Sequence, residues 1–180
     1  MNEPAPLNYK AELSKAMDML SADPAARFIG YGVKRGRAMG TMKGVAESQL
    51  IETPVAENLM VGLATGLALR GLKPLVFVER CDFLTNSMDA LVNHLDKISI
   101  ISRDEFNPTA IIRVVVGNRT KGLQTGVTHT QDFSIAMTHM LTTTKVVRLE
   151  TADQIVPAYT QAIADLGKCS TVLFEYKDNL

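Results

Sequence analysis

Two short apolar runs constrain the fold more than any other feature of the sequence. Residues 74–79 (PLVFVE) and 110–116 (AIIRVVV) are rich in β-branched and aromatic side chains, and apolar and polar positions do not alternate in them. Strands with this pattern are buried on both faces, which is typical of a parallel sheet covered by helices. Four further strands are predicted at 26–33, 49–52, 145–149 and 171–176.

Helical segments alternate with these strands. Residues 87–98 carry apolar side chains at i, i+3, i+4 and i+7, which predicts an amphipathic helix. Residues 56–70 are strongly apolar and are followed by Gly71, a residue that commonly ends helices. Further helices are predicted at 8–20, 132–141 and 152–166. The alternation predicts one α/β domain over residues 1–180, in three layers (α/β/α) around a mainly parallel sheet, with residues 1–7 flexible.

Composition excludes several classes of protein. The chain has 19 Lys and Arg against 19 Asp and Glu, so it lacks the broad basic surface of a dedicated nucleic-acid binder. No apolar run approaches the ~20 residues that a membrane span needs, and the N-terminus has no apolar signal-peptide core. Cys81 and Cys169 are the only cysteines and lie far apart, so neither a disulfide framework nor a zinc site is indicated. We therefore expect a cytoplasmic protein.

The loops after the strands are the places to look for a functional site. Ligands of parallel α/β sheets bind at the carboxyl ends of the strands, where loops lead into helices. In this chain those loops are 30–46, 53–57, 79–87, 117–131 and the turn after Leu149.

The segment 52–62 (ETPVAENLMVG) is the most informative of these regions. It is followed, in order, by GLALRGLKP at 66–74, DF at 82–83, MDALVN at 88–93, THTQ at 128–131, KVV at 145–147 and VLFEYK at 172–177. This series resembles the pyrimidine-binding domain of thiamine-diphosphate enzymes, in particular the β subunit of 2-oxoacid dehydrogenase E1 components of the pyruvate, branched-chain and acetoin types. A TP-x-x-E motif alone is a weak signal, whereas the ordered series over residues 8–177 is specific.

The resemblance implies a catalytic role for Glu57. In the family, a Glu at this position bonds to N1′ of the cofactor's aminopyrimidine ring and thereby assists removal of the thiazolium C2 proton. The cofactor supplies the carbanion chemistry, and the protein supplies orientation and one acid/base group. The residues alone favour another explanation, in which Glu57 simply lies in the first helical turn, where a carboxylate interacts well with the helix dipole.

Three further residues are matched to family positions. Phe83 matches an aromatic that packs against the aminopyrimidine, although it is otherwise explained as a core or loop aromatic. His129 matches a catalytic histidine that faces substrate and can donate or shuttle a proton, although a lone loop histidine is often a surface or capping residue. Glu79 stands where the family carries an uncharged Gln or Met facing the cofactor, so it is either a new polar cofactor contact or an acid directed into solvent. His94 and His139 are predicted to be structural or surface residues.

The chain departs from the family in its loops. Loop 30–44 carries Lys34, Arg35, Arg37 and Lys43 among glycines, where the family has an acidic pair. This loop is either an anion clamp for a carboxylate or phosphate or, as we prefer from the sequence, a solvated mobile loop. Asn118-Arg119 and Thr142–Thr144 also replace family residues, so we expect the substrate side to differ.

A final departure concerns the rest of the cofactor. The family holds Mg²⁺ and the diphosphate with Gly-Asp-Gly followed by Asn, and no Gly-Asp-Gly occurs in these 180 residues. The C-terminal domain of the β subunit is also missing from them. We therefore expect this chain to bind the pyrimidine half of thiamine diphosphate, while an α-type partner chain holds Mg²⁺, in a heterotetramer or a homodimer.

The leading hypothesis is thus the pyrimidine-domain subunit of a split enzyme that decarboxylates a 2-oxo acid and transfers the acyl group to lipoamide or another acceptor. One alternative is a subunit of a two-chain non-oxidative 2-oxoacid decarboxylase or carboligase. Another is a non-catalytic regulatory module that has kept the fold.

Overall fold

The computed structural model describes residues 6–117 and 126–179. Six strands form one sheet in the order β2-β1-β3-β4-β6-β5, and every neighbouring pair is parallel. The strands are β1 (Ala26–Gly30), β2 (Leu50–Glu52), β3 (Lys73–Val78), β4 (Ile111–Val116), β5 (Lys145–Leu149) and β6 (Thr171–Tyr176). The predicted parallel sheet is confirmed.

Helices cover both faces of this sheet, which confirms the three-layer arrangement. One face packs against α1 (Tyr9–Ser21) and α7 (Ala152–Asp165). The other packs against α3 (Glu57–Leu69), α4 (Cys81–Leu84) and α6 (Ser134–Met140). The short elements are α2 (Arg37–Gly40), α5 (Ile98–Ile101), a π-helix (Asp89–Leu95) and 3₁₀ turns at Glu47–Gln49, Thr85–Ser87 and Lys177–Asn179. No helix in the described parts of the chain is long and apolar enough to cross a membrane.

Strand β4 explains why the sequence shows no alternation. Ile111 and Val115 pack toward α1 and α7, whereas Ile112 and Val114 pack toward α3, and all are fully buried. Because both faces of the strand are covered, both sets of side chains must be apolar to gain from burial. Arg113 is the exception in this strand.

A polar network accommodates Arg113 within the layer beneath α1 and α7. Its Nε donates to Glu175 Oε1 at 2.8 Å, and Tyr159 donates its hydroxyl to the same oxygen at 2.7 Å. Arg113 Nη1 also donates to Thr41 Oγ1 at 2.7 Å. Burial raises the pKa of the Glu175 carboxyl, and the charge of Arg113 opposes that rise. The buried guanidinium is therefore matched by a buried carboxylate.

The predicted amphipathic helix at 87–98 differs from the structure. Instead of one α-helix, the chain forms a 3₁₀ turn and then the π-helix Asp89–Leu95. The backbone N–H of Ala90 donates to Asn58 Oδ1 at 3.0 Å, so a side chain of α3 takes a bond that an α-helix would direct to its own backbone. Leu91 and Leu95 are still buried, as the spacing predicted.

Candidate active site

Glu57 lies at the first position of α3, where the chain leaves β2 through Thr53-Pro54. Only 4% of the residue is exposed. Ala56 precedes it and provides no side-chain cap, so a carboxylate at this helix start is favoured by the helix dipole. Within the described residues its hydrogen-bond donor is Asn86, whose Nδ2 lies 3.3 Å from Glu57 Oε2. Glu57 is thus a nearly buried carboxylate with a single amide donor.

Two asparagines connect the start of α3 to the elements that follow β3. Asn86 belongs to the 3₁₀ turn directly after α4, the helix that carries Phe83. Asn58, beside Glu57, accepts the backbone N–H of Ala90 in the π-helix. The contact of Asn86 could not be predicted from the sequence, since nothing in the local pattern around Asn86 indicates a contact with a residue 29 positions earlier.

Phe83 and His129 are brought together. Their ring centroids lie 5.3 Å apart with the planes at 80°, an edge-to-face contact. Both residues are half-buried. Thr128 Oγ1 lies 3.1 Å from His129 Nδ1, so a neighbouring hydroxyl also helps to orient the imidazole. The two rings therefore present partly open surfaces at the same place.

The segment that carries His129 is held by contacts from β4 and α4. A Cβ on Gly117 would lie 1.7 Å from the His129 carbonyl oxygen, so only glycine permits this close approach. On the α4 side, Gln131 Nε2 donates to Asp82 Oδ1 at 2.8 Å. The role of Gly117 could not be predicted from the sequence. Asp82 and Gln131 lie in the matched DF and THTQ segments, but their pairing could not be read from them.

Glu79 is the fourth residue that was matched to a family position. It follows β3, is half-exposed, and approaches Arg80 Nη1 at 3.8 Å. It lines a cleft together with Tyr31 and Phe77, and this cleft is not lined by the three matched residues described above. The structure therefore brings Phe83 and His129 into contact and joins Glu57 through Asn86 to the turn after α4. It places Glu79 in the lining of this cleft, beside Thr53 and Pro54 of the segment that leads into Glu57.

The segment Thr142–Thr144, whose residues replace family residues, is hydrogen-bonded to the side chain of Asp96. Their three backbone N–H groups donate to the Asp96 carboxylate at 2.8–3.0 Å. Asp96 is fully buried. Burial acts to raise the pKa of this carboxyl, but donation from Lys97, Thr142 and Thr144 outweighs burial and lowers the pKa to about 2. The stretch before β5 is thus pinned to the end of the π-helix.

The remaining histidines lie on the surface, as predicted. The His94 side chain is 64% exposed on the π-helix, and His139 is exposed on α6. Asn118 and Arg119, which were expected to alter the substrate side, lie outside the described residues. In residues 6–117 and 126–179, no group of three or more His, Cys, Asp or Glu side chains is placed to hold a metal ion.

Comparison with known families decides the assignment. The family described as "Transketolase, pyrimidine binding domain" matches residues 6–180. The chain belongs to this family. The family assignment agrees with the resemblance carried by the ETPVAE segment and the motifs that follow it.

The individual relatives are longer proteins. The chain is 30% identical over 131 residues to the pyruvate dehydrogenase E1 component subunit beta of Mycoplasma pneumoniae. This alignment covers 69% of this chain and 40% of that protein. It is 26% identical over 149 residues to the acetoin:2,6-dichlorophenolindophenol oxidoreductase subunit beta of Cupriavidus necator, covering 74% of this chain and 43% of that protein. The chain thus spans less than half the length of these relatives.

A solved structure supports the fold. The structure titled "Split gene transketolase, inactive beta4 tetramer" superposes with a TM-score of 0.71 over 96% of this chain and 52% of that chain, at 14% identity. At this identity the likeness establishes the fold alone.

Proposed function

We propose that this chain is the pyrimidine-binding part of a thiamine-diphosphate-dependent enzyme that acts on a 2-oxo acid, with a second chain supplying the diphosphate and Mg²⁺ site. The observation that carries the proposal is the nearly buried Glu57 carboxylate, joined through Asn86 to the turn that directly follows α4. That helix bears Phe83, whose ring contacts His129. The cofactor supplies the carbanion chemistry when it is bound.

The donor set of this chain fits the pyrimidine half of that cofactor. Asn86 occupies Glu57 Oε2, which leaves Oε1 to hold a proton at N1′ of the aminopyrimidine. Phe83 offers a half-buried ring on which a flat heterocycle packs. His129, held beside Phe83, donates a hydrogen bond to a substrate oxygen. Mg²⁺ prefers several hard oxygen ligands, and the described residues bring no such cluster together.

One face of α3 supports the requirement for a second chain. Leu59 is 53% exposed, and it is followed at i+3 and i+7 by the exposed glycines Gly62 and Gly66. A Cβ on either glycine would meet no atom within 4 Å, so the space above this face is open. An apolar helix face with small residues lets another helix pack closely against it. We propose that the partner chain covers this face and completes the site.

The test is thiazolium C2 hydrogen–deuterium exchange of thiamine diphosphate bound to the complex of this chain with a Gly-Asp-Gly-bearing partner. In Glu57→Gln the exchange rate should fall roughly 10²–10⁴-fold, because Gln keeps the size of Glu but cannot transfer a proton. Glu105→Gln, at an exposed site, is the matched control. Exchange at the wild-type rate in Glu57→Gln would remove the catalytic assignment. Tight cofactor binding or decarboxylation by the isolated chain would contradict the split-site proposal.

The same complex distinguishes the oxidative reaction from its alternatives. We favour oxidative decarboxylation with acyl transfer to lipoamide or a similar acceptor, since the curated relatives described above carry dehydrogenase and oxidoreductase names. Turnover of a 2-oxo acid that requires an electron acceptor supports this choice. Release of the free aldehyde without an acceptor would instead assign a non-oxidative decarboxylase, and absence of turnover with every partner would assign a non-catalytic module.

A further inference from the structure

The segment 126–133, which we call the His129 segment, forms turns and irregular backbone instead of a helix or a strand. One turn in it is closed by the backbone N–H of His129, which donates to the Gly126 carbonyl at 3.1 Å. Segments without regular structure take their position from contacts with the elements around them. The position of the His129 imidazole therefore depends on what holds the rest of this segment.

The first residues of α4 hold the His129 segment. Asp82 is 7% exposed, and its Oδ1 accepts the side-chain N–H of Gln131 at 2.8 Å and the backbone N–H of Gln131 at 3.4 Å. The Sγ atom of Cys81 accepts the backbone N–H of Phe133 at 3.2 Å. Two consecutive residues of α4 thus bind two residues that follow His129.

Phe83, the next residue of α4, meets His129 itself. The two rings make their edge-to-face contact with the centroids 5.3 Å apart. Neighbouring residues of α4 therefore bind both ends of one short stretch, since Asp82 binds Gln131 and Phe83 contacts His129. Because the backbone of α4 sets the spacing of Asp82 and Phe83, the bond to Gln131 also sets where His129 lies relative to the Phe83 ring.

A second contact holds the His129 segment from another side. The Tyr176 hydroxyl donates to Asp132 Oδ2 at 3.1 Å and accepts from Arg148 Nε at 2.7 Å. Tyr176 ends β6, and Arg148 lies in β5. We call this contact the β6 anchor. Because β4 lies between β3 and β6 in the sheet, the β6 anchor and α4 restrain the segment from different directions.

The pair of Asp82 and Gln131 is a poor source of stability. Asp82 Oδ2 is buried and has no hydrogen-bond partner in residues 6–117 and 126–179. A buried carboxylate oxygen that gives up water without gaining a donor costs folding energy. Gln131 is exposed, so its amide would bond to water if Asp82 were absent. The geometry imposed on the His129 segment explains the pair better, since residues that break local packing rules concentrate at functional sites.

We propose that Asp82 is a positioning residue, which holds the His129 imidazole beside the Phe83 ring through its bond to Gln131. The placement of His129 follows from contacts within this chain, whereas its consequence for turnover rests on the proposed function. In the assembled enzyme the imidazole donates to a substrate oxygen, and a displacement of about 1 Å can slow such a step roughly 100-fold. Asp82 acts through Gln131 and does not touch the substrate itself.

The first test observes the two rings in the isolated chain by NMR. The ring current of Phe83 shifts the imidazole protons of His129, and comparison with Phe83→Leu defines the size of this shift. Asp82→Leu has a similar size but no acceptor and should lose most of the shift. Gln131→Met removes the donor at an exposed position and should lose as much. Asp82→Asn keeps an acceptor oxygen and should retain the shift. Tyr176→Phe, which removes the β6 anchor, is the matched control and should also retain it.

The second test measures catalysis by the complex with a Gly-Asp-Gly-bearing partner. Asp82→Leu and Gln131→Met should lower kcat for a 2-oxo acid roughly 10–100-fold. The rate of C2 hydrogen–deuterium exchange of bound thiamine diphosphate should not change, because that step depends on Glu57. Asp82→Asn should keep most of the turnover. This difference between kcat and exchange would not arise from general damage to the fold, which lowers both.

Three results would overturn the proposal. The first is an unchanged ring-current shift in Asp82→Leu and Gln131→Met. The second is an equal loss of the shift in Tyr176→Phe or Asp82→Asn, which would show that the acceptor on α4 does not specifically place His129. The third is a lost shift with an unchanged kcat, which would separate the position of His129 from catalysis. A wild-type complex that turns over no 2-oxo acid would contradict the proposed function, while the NMR result would still decide whether Asp82 places His129.

Discussion

The two faces of the sheet differ in how fully the apolar side chains of their helices are buried. Beneath α1 and α7, large side chains such as Leu13, Met17 and Tyr159 are at most 1% exposed. On the opposite face, α3 buries Met60 but leaves Leu59 half-exposed beside open space at its glycines. On the first face, α1 and α7 cover these large apolar side chains. The second has an apolar surface that a partner would finish, and the proposed catalytic residues lie on that side.

The two faces also differ in how they hold a buried charge. On the face beneath α1 and α7, which we call the closed face, the charge of the Glu175 carboxylate is compensated by another side chain, Arg113. On the face covered by α3, which we call the open face, Asp96 is held by Lys97 and also by the backbone N–H groups of Thr142–Thr144. A side-chain partner can be removed by one substitution, whereas a backbone cradle cannot. The comparison therefore predicts different responses to mutation and to pH.

The largest effect is expected for Arg113→Met on the closed face. Removing the guanidinium leaves Glu175 buried without a compensating charge, which should lower the free energy of unfolding by about 3–5 kcal/mol. Urea denaturation measures this loss. The double variant Arg113→Met/Glu175→Leu is the control, and it should lose much less because no charge remains buried. A single variant as stable as the double variant would show that the pair does not behave as a unit.

On the open face, Leu59→Asp should prevent assembly rather than folding. A charge on the exposed face of α3 should weaken association with the proposed partner chain by roughly a hundredfold, as loss of a central apolar contact does. Sedimentation of the mixed chains measures the association, and the melting temperature of the chain alone should not change. Thr160→Asp on the exposed side of α7 is the control. Equal association of both variants would place the partner elsewhere.

Asp96→Asn should weaken the fold by a smaller amount that depends on pH. The folded pKa of about 2 lies below the ordinary value of 3.8, so the charged carboxylate adds stability on the order of 2 kcal/mol. Because the folded pKa is lowered, this contribution is complete above pH ~4 and is lost as the pH falls through 2. Urea midpoints of wild type and variant should differ at pH 6 and converge near pH 2. Glu105→Gln, at an exposed position, should show no such convergence.

The sheet and most helices could be predicted from the sequence, because the local spacing of apolar residues shows which faces of a strand or helix are buried. The strand 110–116 and the helix 56–70 are confirmed within a residue. The π-helix could not be predicted, since it depends on a bond from Ala90 to Asn58, 32 positions away. The left-handed turn at 37–39 was also hidden, because Arg, Ala and Met rarely adopt that conformation.

The site shows the same division. The matched motifs indicated Glu57, Phe83 and His129, and the structure links these residues. Asn86 and Gly117 could not be found in this way, because their roles arise from contacts with distant parts of the chain. The sequence could not decide whether Glu79 contacts the cofactor or is directed into solvent, because the surroundings of its side chain come from loop 31–39.

The smallest predicted effect distinguishes two roles for Phe83, a contact with the cofactor and simple packing within this chain. The ring is half-buried and touches His129, so Phe83→Ala should cost little folding energy but should remove a surface for the pyrimidine ring. Such ring contacts contribute ~0.5–1.5 kcal/mol beyond buried area, so cofactor affinity of the assembled complex should fall several-fold. Calorimetric titration of thiamine diphosphate measures this change. Phe83→Tyr retains the ring and should bind normally. An unchanged affinity together with a large drop in melting temperature would instead make Phe83 an ordinary packing residue, because only a ring that meets the cofactor can change its affinity without unfolding the chain.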